Sequence, residues 1–363
     1  MVDIMSKTFF SMIRRPIGQL GMGMGGLALL AAAAAIWGCQ WLSSPEVVVY
    51  TTLDKELVEP IFQKFTEKTG IPVVCRRPED GAAPKALGDA VLDERGRPIY
   101  DLVWHAEPVQ MALLRQQDLL AAYDWPDTQR FSQWAKSPDG RWHGLAARAR
   151  VLLLYSPAFQ DKKPDQTPSS ILDLADPKYR GRAAMAGMGS PTAAAHLACL
   201  FALWGPERAK QFLSQLRENQ VQLFGSEAET ARQVAEGRCL LALTDSDQAI
   251  RQIENGSSVR LVYPDQREDQ SGTLFFPTTI AIFRRAAHPD AARQLANVLL
   301  SPEVETLLAN GPAAHIPLNY EVTALSRIRG PDDIKAIKVD FQTAAGYWPL
   351  AVEFLQKEVL PNH

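Results

Sequence analysis

The chain has 363 residues, 46% of them hydrophobic and 22% charged, with a formal net charge of −3. This is an ordinary globular composition, long enough for two domains. The slightly acidic balance and the lack of any long basic run argue against nucleic acid as a partner.

Within residues 1–16, Lys7, Arg14 and Arg15 face only Asp3, and residues 17–39 carry no charge at all. A basic start followed by an apolar run reads as an export signal. It is also long enough to span a bilayer if retained. Its end, IWGC, resembles a bacterial lipobox, with Ile36 at −3, Gly38 at −1 and Cys39 as the lipidated residue. Trp37 stands where that pattern has a small residue. Residues 1–39 are therefore assigned to a signal peptide or a membrane anchor, and either places the remainder outside the cytoplasmic membrane. Cys75, Cys199 and Cys239 have apolar neighbours and no metal-ligand spacing. Cys199 and Cys239 could pair, but buried free thiols are the expected state.

After Pro45, strands and helices alternate. EVVVYT (46–51) is a β-branched strand. The helix after it sets Leu57, Ile61, Phe62 and Phe65 on one face and stops at Gly70. Strands at 71–76 and 100–104 and a helix over 107–120 follow, which is the βαβαβ order of a parallel sheet. Residues 78–98 read as a broken helix between loops. The run 144–157 is long enough to cross from one lobe to another. Strand then turn at 180–191, helices over 192–205, 206–219 and 227–237, and the strand CLLAL (239–243) make a second βα set. Extended runs at 259–266 and 272–283 lead back, and the chain is helical from Pro289 onward. This predicts two α/β lobes, one built from 46–149 and 263–363 and the other from 150–262, rather than one continuous sheet.

Strand C-termini in α/β folds face the ligand crevice, so the candidate site residues stand there. CLLAL runs into Thr244, Asp245, Ser246 and Asp247. Two carboxylates favour a cation or hard metal ion, although Asp245 could merely cap a helix. YDLVW ends at His105, with Glu107 explained by the helix dipole alone. Thr51 and Thr52 end the first strand and offer hydroxyls. Ser190, Pro191 and Thr192 open a helix whose N-terminus suits an anion. Arg148 and Arg150 are set on opposite faces of their strand, so that only one faces the cleft, and Arg148 is favoured as an anion contact. His196 lies in an apolar helix and reads as packed. No GxSxG, HExxH, P-loop or GxGxxG stands in a productive context.

Read together, VVVYTTLDKELVEPIFQKFTEKTGIPV, DGRWHGLAARARVLLLYSP, LADPKYRGRAAMA, LLALTDSDQA and GTLFFPTTIAIFRRAAHPDAARQLANVLLSPE resemble the periplasmic solute-binding proteins of bacterial ABC importers, most nearly the ferric-iron-binding branch. The resemblance covers nearly all of 46–310 in order. It implies a type II-like two-lobed clamshell with crossing hinge strands, a monomer that hands a small ligand to a permease in the cytoplasmic membrane, and no catalysis. A cleft enzyme of the same compartment is the rival class. The ferric branch holds iron with adjacent tyrosines just after a lobe-two strand; that pair would fall near Asp247 and Gln248, and the eight tyrosines here are isolated. The resemblance implies iron(III) or another metal species as cargo, with no resident cofactor; with the tyrosine site absent, the strand-end residues His105, Asp245 and Asp247 are the candidate metal set. A small organic anion such as a phosphonate or sugar phosphate is the alternative.

Overall fold

A computed structural model describes residues 46–77, 87–187, 190–324 and 327–357. Cys39 and the uncharged segment before it lie outside these residues, as do residues 78–86 of the 78–98 stretch.

Strand β1 (Val47–Thr51) leads into α1 (Lys55–Thr69). Helix α1 buries Val58, Ile61, Phe62 and Phe65, the 3.6-residue stripe, against the sheet. Gly70 ends it at φ 72°, where its N–H closes on the Thr66 carbonyl, a left-handed stop that glycine takes without a Cβ penalty. Then come β2 (Val73–Arg76), the short α2 (Leu87–Ala90), β3 (Leu102–His105) and α3 (Pro108–Gln116). The long β4 (His143–Tyr155) follows, then β5 (Ala183–Ala186), α4 (Pro191–Trp204), α5 (Pro206–Glu218), β6 (Gln222–Phe224) and α6 (Glu227–Ala235). Strand β7 (Leu241–Asp245) runs directly into α7 (Ser246–Glu254). The chain continues through β8 (Val259–Val262), β9 (Phe275–Ile282), α8 (Pro289–Leu299), α9 (Pro302–Asn310), α10 (Phe341–Gly346) and α11 (Trp348–Lys357).

The strand order is β2-β1-β3-β9-β4-β7-β5-β6, with β8 also on β4. The path is unbroken, but only because β4 changes partners along its length. His143–Ala149 pairs with β9, Arg150–Leu154 with β7, and Leu152–Tyr155 with β8, all antiparallel. Strands β1, β2 and β3 are parallel to one another, and so are β5, β6 and β7. Two sheets therefore share one strand, and the handover falls between Ala149 and Arg150. The alternation along β4 splits its side chains between two buried clusters. Leu152 and Leu154 enter one; Val151 and Leu153 enter the other. Cys199 and Cys239 are buried free thiols, as expected, and Cys75 is an exposed one. Helix α10 packs on both α3 and α4, and α11 on α4, with Phe201 and Tyr347 stacked. The C-terminal helices thus touch elements of both βα sets rather than the first alone.

Candidate functional site

The site is built where the two sheets meet. Four helix N-termini converge on β4 residues 147–150. Glu107 precedes α3, Ser190 precedes α4, Glu227 is the first residue of α6, and Asp245 precedes α7. Helix N-termini favour negative charge, and three of these four positions hold a carboxylate.

Arg148 is the centre. Its Nη1 donates to Asp245 Oδ2 at 2.7 Å, and its Nη2 to Glu107 Oε1 at 3.1 Å and to the Ala106 carbonyl at 2.9 Å. Arg150 donates from Nη1 to Asp245 Oδ1 at 2.7 Å and pairs with Glu227 Oε1 at 3.0 Å. Its Nε donates to His196 Nδ1 at 3.2 Å. Both arginines are buried, Arg150 at 1% exposure. The assignment of these arginines to opposite faces is wrong. Side chains alternate along a strand, so residues two apart share a face, and here both reach the same carboxylate. His196 is packed, as expected, and also serves as the acceptor for Arg150.

Asp245 occupies the N-cap position of α7 without a side-chain capping bond. Its two oxygens are used by the two guanidinium groups instead. Ser246 Oγ accepts from Ala149 N at 3.0 Å, tying the helix start to β4. Asp247 accepts from Gln248 Nε2 at 3.0 Å on Oδ2, while its buried Oδ1 has no partner. Thr244 donates to the Glu227 carbonyl at 3.1 Å. Ser190 caps α4 through Ala193 N at 3.1 Å and donates to Glu227 Oε1 at 3.0 Å. Thr192 donates to Glu107 Oε1, joining α4 to the start of α3. Thr52 accepts from Ala106 N at 3.1 Å, and Thr51 from Leu53 N at 3.1 Å. His105 is buried, lies parallel to Tyr50 at 6.5 Å, and accepts the Glu107 N–H on Nδ1 at 2.9 Å. Tyr263 is half-buried and its hydroxyl accepts from Arg329 N.

Burial dominates the titration of the cluster. It pushes Glu107 up to about 7 and Asp247 up to about 6, with Arg148 pulling each back. Burial and then Arg148 hold His105 down at about 3. Burial would lower Arg148 itself, but Asp245 and Glu107 outweigh it and its pKa is raised. Four carboxylates face two guanidinium groups. Glu107 Oε2, Glu227 Oε2 and Asp247 Oδ1 are left as unpartnered acceptors, and Arg148 Nε and Arg150 Nη2 as unpartnered donors.

The structure therefore brings Arg148, Thr192, Thr244, Asp245 and Ser190 into one network, with His105 and Thr52 at its edge through the Glu107 and Ala106 N–H groups, whereas Thr51 bonds Leu53 N in its own turn. The metal set of His105, Asp245 and Asp247 does not come together. Among the described residues no three His, Cys, Asp or Glu side chains are arranged to hold a metal ion, and both Asp245 oxygens are occupied. Glu227 and Arg150 belong to the centre but drew no ligand role from the sequence. Glu227 opens an amphipathic surface helix, so its pattern signals only a helix start. A separate cavity of ≈ 790 Å³ is walled by Trp134, Trp142, Phe275 and Phe341, and no residue of the ion cluster lines it.

The family of bacterial extracellular solute-binding proteins matches residues 46–310. The chain belongs to that family. An Fe(3+)-binding periplasmic protein of Serratia marcescens is 25% identical over 324 residues, covering 87% of this solute-binding protein and 92% of its own length. A putative 2-aminoethylphosphonate-binding periplasmic protein of Salmonella typhimurium is 25% identical over 301 residues, covering 78% and 82%. The crystal structure of iron-bound HitA from Pseudomonas aeruginosa superposes with a TM-score of 0.74 at 21% identity, covering 86% of this chain and 100% of that one. That likeness shows the periplasmic-binding-protein fold, with two sheets joined through crossing strands.

Proposed function

We propose that this solute-binding protein serves an ABC importer and captures iron(III), carried as a complex with a small anion, at the junction of its two sheets. In this reading residues 46–149 and 263–363 form one lobe and 150–262 the other. The protein acts as a monomer, passes its cargo to a permease, and performs no chemistry on it. One observation carries the proposal. The ion cluster leaves carboxylate oxygens and guanidinium N–H groups unpartnered in the same buried place, so a metal–anion complex supplies what each lacks. Asp247 is the metal contact, because Asp245 is already committed to Arg148 and Arg150. Arg148 holds the anion, framed by His105, Thr51, Thr52, Ser190, Thr192 and Thr244. The Serratia relative and HitA support the metal.

A second reading is an organic anion without metal, such as a phosphonate. Arg148 Nε and Arg150 Nη2 favour it, as does the Salmonella relative. Calorimetry with ferric citrate, citrate alone and 2-aminoethylphosphonate separates the two. Asp247→Asn is the clean variant, because Asp247 makes no ion pair among the described residues and its loss strands no buried guanidinium. For the metal complex it should weaken binding about tenfold or more, since a neutral amide is a poor ligand for a hard cation. For a phosphonate it should do little or help, by removing like-charge repulsion. Binding of 2-aminoethylphosphonate but not of ferric citrate would overturn the metal reading.

We also propose that Cys39 is lipidated and holds the protein on the outer face of the cytoplasmic membrane. No helix among the described residues is long and apolar enough to cross a membrane. Two acyl chains anchor stably where one is marginal. Cys39→Ala should move the protein from the membrane to the soluble fraction, or leave an unprocessed N-terminus. If retention and N-terminus both match wild type, residues 17–38 are a plain anchor.

A further inference from the structure

Ala147 and Ile316 form an isolated antiparallel bridge, with Ala147 N on the Ile316 carbonyl at 2.7 Å and Ile316 N on the Ala147 carbonyl at 2.8 Å. One step along that register sets His315 opposite Arg148, and residues opposite each other in an antiparallel pair share a face. The bridge lies on the same edge of β4 that β7 occupies further on. Ala147 N bonds Ile316, Ala149 N bonds Ser246 Oγ, and from Arg150 onward β4 pairs with β7. The 315–316 segment and the end of β7 therefore abut along β4, end to end, with the ion cluster between them.

His315 is buried at 3% exposure, and its Nδ1 has no partner. The charges that act on it are those of Arg148, Asp245 and Arg251, which are members or neighbours of the cluster. Burial, and then Arg148, hold its pKa down at about 3, so the ring is neutral and keeps a lone pair. The segment is also firmly fixed. Glu305 is fully buried and accepts from Ala146 N at 2.5 Å, Leu318 N at 3.1 Å and Asn319 N at 2.7 Å, gripping both strands of the bridge at the end away from Arg148 and His315. Ala146 and Ala314 flank it at φ 45° and 46°. Non-glycine residues persist there only when the surroundings over-determine them, and such residues cluster at ligand sites.

We propose that His315 is a ligand-contact residue of the site, offering its Nδ1 to the metal of the bound complex on the Arg148 side of the cluster, with Glu305 as the residue that positions it. This rests on the metal reading given above. Neutral imidazole is a good iron ligand, and it adds a nitrogen donor to a site otherwise made of oxygens.

The test is calorimetry of ferric citrate with the full chain and with His315→Ala. The variant should bind about tenfold or more weakly, the loss expected of one strong polar contact, with its thermal midpoint close to wild type. A second measurement does not depend on the variant folding. In wild type labelled with ¹⁵N-histidine, gallium(III) citrate, a diamagnetic substitute for iron(III), should shift the His315 Nδ1 resonance. Unchanged affinity in the variant, or an unmoved His315 resonance in gallium-saturated wild type, overturns this inference while leaving the metal reading standing. If wild type takes up neither metal, both fall.

Discussion

At the scale of single residues, the cluster is governed by what burial does to charge. Separating a buried ion pair by removing one partner costs about 3–5 kcal/mol, because it strands the other charge. Asp245 avoids this by serving Arg148 and Arg150 together, and that is why it gives up the capping bond its position invites. Glu107 is the softer member. Burial raises its pKa to about 7 from an ordinary 4.5. A carboxylate raised in the folded state contributes stability that is fully present below about 4.5 and lost as pH rises through about 7. At about 1.4 kcal/mol per unit, the loss is about 3 kcal/mol. Glu107→Gln should therefore gain on wild type by about that much between pH 5 and pH 8, read as the difference between their denaturant unfolding curves. A difference that stays constant over that range would show that Glu107 is already ionised in the fold. The sequence made Asp245 and Arg148 legible as strand-end and cleft charges. It did not make their pairing legible, because an error of parity separated Arg148 from Arg150.

At the scale of elements, periodicity carried most of the fold. Helix α1 appears where its apolar stripe lies, although Val58 rather than Leu57 is fully buried. Ser190 caps α4 with Pro191 behind it, as that turn suggests. Patterns failed where an element is short or is shaped by a distant contact. Strand β6 is three half-buried residues with no alternation to read. Helix α3 ends at Gln116 rather than near residue 120, because Asp118 turns the chain at φ 58°. The sequence reading made the chain helical from Pro289 onward, but residues 312–324 and 327–340 form no helix. The first part of this stretch is held by the Ala147–Ile316 bridge and the Glu305 carboxylate, and the later part by Tyr263, Gln266 and Thr273, contacts that periodicity cannot show. His315 was invisible for that reason: a lone histidine in an aperiodic run says nothing until its backbone partner is known.

At the scale of the whole molecule, two sheets joined through one strand make a natural hinge, and the contacts that cross between them decide which state is held. Thr192 reaches from α4 to Glu107, and Arg251 from α7 to Asp54 at 2.8 Å. Arg327 pairs with Glu254 at the end of α7. The last two pairs are partly exposed, and such pairs are worth about 0–1 kcal/mol each. They add little to holding the two sheets together. The buried cluster is stronger, but it too carries unpartnered atoms that oppose burial. A ligand that satisfies those atoms binds the closed arrangement better than the open one, and only such a difference in affinity shifts the equilibrium. We expect the hinge in the crossing runs 144–155 and 259–275, where β4 passes from one sheet to the other. A compact chain of this length has a radius of gyration of roughly 20 Å. Small-angle scattering should give that value at saturating ferric citrate and a larger one without it, with citrate alone producing no compaction. Identical curves in all three conditions, for protein shown by calorimetry to be saturated, would mean that the two sheets move as one body and that capture does not depend on closure.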